Sequence, residues 1–477
     1  MNDDGEAETA LTDTGARPQQ RRALMTSLRA TRARRDTAAG QASPAPSPAT
    51  PGGADMPAPA SDFTALPEHR EIRLQRAAAE TLALTSPFFR TVAEAGAEAE
   101  IDGRRCLNFG SYDYLGLSGD ARIRRAAAEA AERHGISAGA SRLVGGERPW
   151  HATLETAIAR FLGTEAALAM VSGHATNVTT IATLMGPDDL VLVDALIHNS
   201  VSEGVRLSGA ARRVYPHNDL AWIDEHLARV RGDYRRVLIV TEGLFSMDGD
   251  TPDLAGFIAL KARHDAWLMV DDAHGLGVLG ASGRGIAEAA GIDPAQVDIW
   301  MGTLSKSLVA CGGYIAGSAA LIDILRYRAP GFVFSVGLPA PIAAAATEAI
   351  AVIEAEPWRV ARLAAVGRRF LDTARAAGLD TGFSEGHAIT PAIIGDSIRA
   401  VRLSEALLQA GVHALPIIHP AVPQREARLR FFLSAAHDDA QIDRAVEVLA
   451  DCQAALGAPP APARAPAPAR PLAEAQE

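Results

Sequence analysis

Five short apolar stretches of this chain alternate with alanine-rich segments of helical length. In order, the stretches read AALAMVS, DLVLVDA, RRVLIVTEG, AWLMVDDAH and VDIWMGT, between residues 166 and 303. Strands that are apolar on both faces and are separated by helices are typical of a mostly parallel sheet that is covered on both sides. The pattern therefore predicts an α/β fold in which functional side chains collect at the carboxyl ends of the strands.

The pattern of apolar residues and the composition change on either side of this region. Beyond residue 337, the helical stretch APIAAAATEAIAVIEAE and the strand-then-helix pattern RLRFFLSAAHDDAQIDRAVEVLA predict a smaller α+β domain over residues 338–456. We therefore predict a large domain over residues 111–337, preceded by an N-terminal arm over residues 63–110. Residues 1–62 and 457–477 contain proline- and alanine-rich tracts and are predicted to be disordered tails.

The composition argues against several classes of protein. No apolar run is long enough to span a membrane, and the N-terminus lacks the basic-then-apolar order of a signal peptide, so a soluble, cytoplasmic protein is expected. A net charge of -11 argues against a general nucleic-acid-binding protein. The basic segment Arg21–Arg35 is interpreted as a solvated stretch, with a short partner-docking helix as the alternative. Three scattered cysteines, Cys106, Cys311 and Cys452, predict neither a disulfide framework nor a metal cluster.

Charged residues follow two of the predicted strands. Lys306 comes just after the last strand, in MGTLSKSLVACGG, and Asp271, Asp272 and His274 end the strand before it. A carboxylate that is shielded from water needs a cation or a hydrogen-bond donor. Pyridoxal phosphate accounts for both positions, because a carboxylate keeps its pyridine nitrogen protonated and a lysine binds its aldehyde covalently.

The same cofactor also needs a cradle for its phosphate and a face for its ring. The stretch VSGHATN (Val171–Asn177) follows a strand and opens a helical run, so its backbone amides could bind an anion. Thr303 and Ser305, beside the lysine, could add hydroxyl groups. His198 follows another strand, where an imidazole could stack on a flat ring. Together these features predict a pyridoxal phosphate site.

From about Phe63 to Leu456, the sequence resembles the α-oxoamine synthases, which are fold-type I pyridoxal phosphate enzymes. The stretches that carry the resemblance are NFGSYDYLGLSGD, GASRLVGGERPWHATLE, TEGLFSMDGDTPDL, VDDAHGLGVLGASGRG, GTLSKSLVACGGYIAGS and RLRFFLSAAH. The resemblance implies an aspartate aminotransferase-like fold, with a large, mostly parallel sheet domain and a smaller C-terminal α+β domain. It also implies a homodimer whose active site lies at the subunit interface.

The resemblance assigns roles by position. Lys306 matches the lysine that binds the cofactor, Asp271 the partner of the ring nitrogen, and His274 the histidine that hydrogen-bonds the ring hydroxyl. His198 matches the stacking histidine and, with Lys306 and Asp271, forms the implied catalytic set. The further cofactor contacts are Ser246, Thr303, Ser305, Gly173 and His174. Arg430 matches the residue that grips the amino acid carboxylate, as a planar bidentate donor should, and Asp113 is also expected to bind substrate.

The chain departs from the family pattern at three places. His174 stands where the family usually has phenylalanine or tyrosine. Val336 stands where a threonine or serine often reaches the phosphate in the neighbouring subunit's site, and Ser335 could substitute for it. The segment Ile418–Pro420 replaces an arginine and two prolines of 8-amino-7-oxononanoate synthase and serine palmitoyltransferase.

The implied reaction joins an amino acid to an acyl group carried on coenzyme A or an acyl-carrier protein. Loss of CO2 and of the free thiol leaves an α-amino ketone. GSYDYLG and HNSVSEGVRLSGA favour a serine-palmitoyltransferase-like or secondary-metabolite substrate, with 8-amino-7-oxononanoate synthase or glycine C-acetyltransferase activity as the alternative. An aminotransferase or a non-catalytic partner subunit would be a function of another class.

Overall fold

The structure is a computed structural model and describes residues 62–94 and 96–457. The chain divides into two compact units, with the boundary between Arg76 and Ala77. The described part of the first unit contains a 3-10 turn, Phe63–Ala65, and most of the first helix. Apart from Asp62 and Gly457, the two predicted tails lie outside the described residues, as does the basic segment Arg21–Arg35.

The helices of the described chain vary from one turn to five. They are α1 Pro67–Thr81, α2 Ala121–His134, α3 Pro149–Leu162, α4 Gly173–Leu184, α5 Asn199–Ser208, α6 Leu220–Val230, α7 Leu254–Arg263, α8 Ile286–Ala290, α9 Ala319–Arg328, α10 Pro330–Val333, α11 Ala340–Ala355, α12 Trp358–Ala376, α13 Ser397–Gln409 and α14 Asp439–Ala455. The strands are β1 Glu98–Ile101, β2 Arg104–Asn108, β3 Ala166–Met170, β4 Leu190–Asp194, β5 Ala211–Tyr215, β6 Val237–Glu242, β7 Trp267–Asp271, β8 Ile299–Thr303, β9 Gly313–Gly317, β10 Ile389–Gly395, β11 Val412–His413, β12 Leu415–Ile417 and β13 Ala427–Phe432.

A seven-stranded sheet forms the centre of the second unit, in the order β3-β9-β8-β7-β6-β4-β5. Only β9 runs against its neighbours. The inner strands β4, β6 and β8 are buried along their whole length, which explains why their sequences are apolar without alternation. The five apolar stretches correspond to β3, β4, β6, β7 and β8, and the predicted α/β fold class is confirmed.

Two three-stranded sheets accompany the large one. One has the order β10-β13-β12 and is antiparallel, and the predicted strand RLRFF lies within its central strand. In the other, β2 pairs with β1 and with β11, so the N-terminal strands join a strand from the C-terminal part of the chain. The predicted domain boundaries at residues 110 and 337 stay a prediction.

The sheet register places the ends of β6 and β7 side by side, with Glu242 opposite Asp271. Asp271 in turn is opposite Met301 of β8, two residues before the end of that strand. The carboxyl ends of adjacent parallel strands thus open at one edge, as the strand pattern predicts.

Within residues 62–94 and 96–457, no helix is both long enough and apolar enough to cross a lipid bilayer. The same residues contain no group of three metal-binding side chains. The predicted cytoplasmic location stays a prediction.

Candidate active site

A cavity of about 410 Å³ lies at the carboxyl edge of the large sheet. The predicted site residues that line it are Gly173, His174, His198, Ser246, Asp271, His274, Thr303, Ser305, Lys306 and Arg430. These residues lie at or just beyond the carboxyl ends of β3, β4, β6, β7 and β8, and one comes from β13. The strand topology therefore brings together residues that are up to 257 positions apart in the sequence.

Lys306 is one of only two lysines in the sequence. Burial lowers the pKa of Lys306 to about 8, although the nearby carboxylates of Asp271 and Glu242 act in the opposite direction. In the described chain no carboxylate forms an ion pair with it, and its Nζ lies 5.8 Å from the centre of the Tyr112 ring. About a tenth of Lys306 is thus neutral at pH 7, far more than for an ordinary lysine.

Asp271 ends β7 with its carboxylate almost fully buried. Asn177 Nδ2 donates to Oδ2 at 2.7 Å, and the backbone N–H of Ala273 donates to Oδ1 at 3.1 Å. No lysine, arginine or histidine of residues 62–94 and 96–457 forms an ion pair with it. A buried carboxylate of this kind suits a protonated nitrogen that enters the cavity.

His274 lies deep in the same cavity. Its Nδ1 lies 2.7 Å from the hydroxyl of Tyr114, and its ring is parallel to that of Phe432, with centroids 6.4 Å apart. Burial, reinforced by the positive charges of Lys306 and Arg430, lowers the pKa of His274 well below its usual range. A neutral imidazole held at Nδ1 by a tyrosine leaves Nε2 for a second hydrogen bond.

His198 occupies the N-cap position of α5, at the more exposed side of the cavity. Its backbone N–H donates to Glu242 Oε1 at 2.8 Å, and its Nδ1 lies 2.7 Å from the hydroxyl of Ser200. Partial burial lowers the pKa of His198, while the charge of Asp271 opposes that shift. The ring of His174 lies 6.3 Å away at an interplanar angle of 77°.

The start of α4 forms a narrow cradle. The Ser172 hydroxyl accepts the backbone N–H of Ala175 at 3.3 Å and so caps the helix. A Cβ added to Gly173 would lie 2.8 Å from Thr303 Oγ1, so the glycine permits the close approach of the two segments. Thr303 Oγ1 in turn lies 2.8 Å from the hydroxyl of Ser305. Free amides at a helix start, with hydroxyls beside them, form a site for a phosphate.

Arg430 reaches the cavity from β13. Its Nη1 donates to the carbonyl oxygen of Ser246 at 3.0 Å, and its guanidinium carbon lies 4.5 Å from the centre of the Phe432 ring. Its Nε is buried and has no hydrogen-bond partner in the described chain. The planar guanidinium nevertheless lines the cavity, and such a group fits a carboxylate ligand.

Asp113 is the one predicted site residue that the structure does not bring into the cavity. Its Oδ1 accepts the N–H of Leu117 at 2.7 Å, and its Oδ2 accepts the N–H of Ser118 at 3.0 Å. Both carboxylate oxygens therefore hold a local turn, a common use of aspartate. The predicted substrate contact of Asp113 has no support in this geometry.

Several cavity residues were missed from the sequence. They are Tyr112, Asn177, Ser200, Glu242 and Met247. Glu242 ends β6 in the stretch RRVLIVTEG, so the same rule that selects Asp271 could have found it. Burial first, and the charge of Asp271 second, raise the pKa of Glu242 to about 8. Asn177 and Ser200 lie inside helices, where nothing local distinguishes them from other polar helix residues.

The positions that depart from the family pattern lie in different surroundings. Val336 is exposed and forms an isolated bridge with Ser141, and neither it nor Ser335 lines the cavity. Ile418 follows β12 and packs against the hydrophobic core. His174 does line the cavity.

The residues present fit pyridoxal phosphate. The cradle at Gly173, which a Cβ would fill, suits the phosphate, and the buried carboxylate of Asp271, which has no ion-pair partner in the described chain, suits a protonated ring nitrogen. Lys306 supplies an amine for the aldehyde, and His274 offers a hydrogen bond to the ring. Each chemical group of the cofactor thus has a matching residue in one cavity.

The comparison with known proteins agrees with this geometry. A sequence profile described as aminotransferase class I and II matches residues 104–449. The 8-amino-7-oxononanoate synthase of Geobacter sulfurreducens is 44% identical over 371 residues, which cover 77% of this chain and 94% of the relative. The relative of the same name from Symbiobacterium thermophilum is 42% identical and matches 75% of this chain and 91% of its own length.

Solved structures give the same result. Serine palmitoyltransferase of Sphingomonas wittichii superposes with a TM-score of 0.79 at 30% identity, covering 83% of this chain and 99% of that one. A structure of 8-amino-7-oxononanoate synthase from Francisella tularensis superposes with a TM-score of 0.63 at 25% identity, covering 72% and 97%. This chain therefore belongs to the α-oxoamine synthases, pyridoxal phosphate-dependent acyltransferases with the fold of the class I and II aminotransferases.

Proposed function

We propose that the cavity catalyses the decarboxylative condensation of an amino acid with an acyl thioester, with Lys306 as the central catalytic residue. The observation that carries the proposal is the buried Lys306 amine, with a pKa of about 8, in one cavity with Asp271, His198 and Arg430. When bound, pyridoxal phosphate supplies an electron sink for the negative charge that develops at the Cα of the amino acid.

The residues of the chain divide the remaining work. Arg430 binds the carboxylate of the amino acid, since its planar guanidinium lines the cavity. Lys306 Nζ then takes the proton from Cα, for which a pKa near the working pH is suited. Asp271 keeps a proton on the ring nitrogen, and His274 orients the ring through a hydrogen bond.

The acyl thioester is attacked by Cα at its carbonyl carbon. A carbon–carbon bond forms there, the carbon–sulfur bond breaks, and the sulfur leaves as a thiolate that takes up a proton. The amino acid carboxyl group leaves as CO2, and Cα regains a proton. To His198, which lines the more exposed side of the cavity, we assign a hydrogen bond from its imidazole to the acyl carbonyl.

Two substrate pairs have specific support. The name 8-amino-7-oxononanoate describes a nine-carbon amino ketone with a terminal carboxylate, which a decarboxylative condensation would make from alanine and a seven-carbon acyl group. Identity of 44% over 94% of such a relative favours this pair. The TM-score of 0.79 with serine palmitoyltransferase, against 0.63 with the oxononanoate enzyme, favours serine and a long acyl chain. We propose the first pair as the principal candidate, because its relatives are the more similar in sequence.

We also propose a homodimer. Val144 and Phe334 are 81% and 85% exposed, and a bridge between Ser141 and Val336 joins the two segments that carry them. Neighbouring exposed apolar side chains are typical of a protein interface. Sedimentation equilibrium should give twice the chain mass, and Phe334→Asp should shift the population towards monomer, whereas Ile398→Asp, at another exposed apolar position, should not. A wild-type holoprotein that sediments as a monomer would contradict the dimer.

The test of the reaction is a matrix of amino acids against acyl thioesters of coenzyme A and acyl-carrier protein. Free thiol, CO2 and product mass are measured for the reconstituted wild type, for Lys306→Ala and for Lys261→Ala. The two variants are a matched pair, because the sequence contains no other lysine. We expect thiol release to depend on both substrates, to disappear in Lys306→Ala and to persist in Lys261→Ala.

Two results would contradict the proposed reaction and indicate another function. Transfer of amino groups to 2-oxo acids without thiol release from any acyl thioester would identify an aminotransferase. A wild type that stays colourless after reconstitution with pyridoxal phosphate would identify a non-catalytic subunit.

A further inference from the structure

His217 lies outside the cavity and joins the two chain segments that frame it. Its Nδ1 lies 2.8 Å from Asp194 Oδ1, and its Nε2 lies 2.8 Å from Asp250 Oδ2. Asp194 is the last residue of β4, four positions before His198, and Asp250 lies in the loop after β6 that carries Ser246. Both carboxylates are buried.

The two hydrogen bonds define the protonation state of the ring. A neutral imidazole has one N–H, so donation to two carboxylates at once requires the imidazolium form. Burial alone would lower the pKa of His217, but the hydrogen bonds and charges of Asp194 and Asp250 outweigh it and raise the pKa to about 10. Asn218 supports the same arrangement, with its N–H donating to Asp194 Oδ2 at 2.9 Å and its Nδ2 to Asp250 Oδ2 at 3.1 Å.

The loop between β6 and Asp250 connects this cluster with Arg430. Its Phe245 ring packs edge-on against His217, with centroids 4.5 Å apart. One residue later, the carbonyl oxygen of Ser246 accepts the hydrogen bond from Arg430 Nη1, and the sulfur of Met247 lies 3.5 Å from the same nitrogen. The loop that His217 holds therefore carries the acceptor that orients the Arg430 guanidinium.

Asp194, the other carboxylate that His217 contacts, stabilises the turn that leads to His198. Asp194 Oδ1 also accepts the N–H of Leu196 at 2.8 Å, which shapes the turn before His198. Inside the cavity, Glu242 links the same two segments, because its carboxylate accepts the N–H of His198 at 2.8 Å and that of Ser246 at 3.2 Å. The two segments are thus tied twice, directly by Glu242 and from outside by His217.

We propose that His217 is a positioning residue of the active site: its ring ties the His198 turn to the Ser246 loop through Asp194 and Asp250, and so keeps Arg430 aligned for the amino acid carboxylate. The inference rests on the proposed function for the roles of Arg430 and His198. His217 itself does not line the cavity.

The principal variant is His217→Phe, which keeps a flat ring against Phe245 and removes both N–H donors. The dissociation constant of the amino acid, read from the change in cofactor absorbance, should rise about tenfold or more, since a buried charge pair loses its cation. The matched control is His264→Phe. His264 also contacts an aspartate, with Nε2 2.6 Å from Asp224 Oδ1, but it lies near the amino edge of the sheet. The control should change the constant less than twofold.

Two further variants test the two carboxylate contacts of His217 separately. Asp250→Asn should mainly weaken amino acid binding, because this carboxylate holds the Ser246 loop. Asp194→Asn should mainly lower kcat at saturating amino acid, because this carboxylate shapes the turn before His198. If both variants changed the amino acid dissociation constant and kcat to the same extent, the two carboxylates would not have separate roles, and a general loss of structure would explain the effects.

A measurement on the wild type does not depend on variant folding. In the nitrogen-15 NMR spectrum of the holoprotein at pH 8, both ring nitrogens of His217 should carry a proton, with the resonances assigned by their loss in His217→Gln. A single ring N–H at pH 8, or an amino acid dissociation constant in His217→Phe within twofold of wild type, would overturn the proposal. Failure of the proposed function is a different result, because the wild type itself would then release no thiol.

Discussion

The two lysines of this protein lie near opposite ends of β8, and their surroundings differ. At the amino end, Lys261 forms an ion pair with Asp298, the residue before the strand, at 2.7 Å. Past the carboxyl end, Lys306 is buried and has no carboxylate within ion-pair distance in the described chain. The same side chain is therefore a structural cation at one edge of the sheet and a partly neutral amine at the other. The difference comes from desolvation without a paired charge, which favours the neutral amine.

The two edges of the sheet can also be compared through their carboxylates, Asp271 at the carboxyl edge and Asp298 at the amino edge. Of all the variants, Asp271→Asn should lower the rate of condensation most. An amide cannot keep the ring nitrogen of the cofactor protonated, so condensation should fall by roughly a thousandfold or more. Reduction with borohydride should still fix the cofactor to Lys306, which mass spectrometry would detect. At the amino edge, Asp298→Asn should leave the rate of thiol release within twofold of wild type. A similar loss of rate in both variants would remove the distinction between the two edges.

Arg430→Lys tests whether the guanidinium of Arg430 binds the carboxylate of the amino acid. An ammonium group keeps the charge but loses the planar pair of donors, so KM for the amino acid should rise by roughly 10- to 100-fold, with a smaller change in kcat. Initial rates at varied amino acid and saturating thioester measure this split. An unchanged KM would exclude Arg430 as the carboxylate-binding residue.

The pH dependence of cofactor attachment should separate the two lysines. Only the neutral amine reacts with an aldehyde, and with a pKa of about 8 the neutral fraction of Lys306 rises about tenfold per pH unit below that value and levels off above it. The rate at which the apoprotein incorporates pyridoxal phosphate should follow this curve from pH 6 to pH 9. Reductive labelling of Lys261, whose Nζ contacts Asp298 Oδ2 at 2.7 Å outside the cavity, should be much slower at pH 8. Equal labelling of both lysines would contradict the assignment.

The smallest effect is expected for the ion pair at the amino edge. Lys261→Met removes a partly exposed pair and should lower the free energy of unfolding by about 1 kcal/mol or less, measured by urea denaturation of the holoprotein. A loss above about 3 kcal/mol would mean that the pair is part of the core rather than of the sheet edge.

The strand pattern was enough for the fold class, and it also indicated the strand ends near which the predicted cofactor residues lie. Lys306, Asp271 and His274 follow apolar strands, and the carboxyl ends of parallel strands meet at one edge. Glu242 obeys the same rule, because it is the last residue of β6. His217 follows β5, a half-exposed strand whose sequence ARRVY did not stand out as a strand.

Asp113 shows what a local pattern leaves open, and its predicted substrate contact stays a prediction. Its neighbours match the family motif, but its two oxygens are used by the backbone of its own turn. Arg430 shows the opposite case. Its position relative to the cavity depends on how β13 pairs with β10 and β12, and no sequence period encodes that pairing.

By itself, the sequence determined the mostly parallel sheet, the helices that cover it and the lysine–aspartate pair that suits pyridoxal phosphate. Only the tertiary structure decided which polar groups are used up locally, as in Asp113, and which face the cavity, as in Arg430. It also decided the low pKa of Lys306 and the double carboxylate contact of His217. The physical reason is that desolvation and hydrogen bonding depend on neighbours in space, and for Arg430, Lys306 and His217 the decisive neighbours lie tens to hundreds of positions away in the chain.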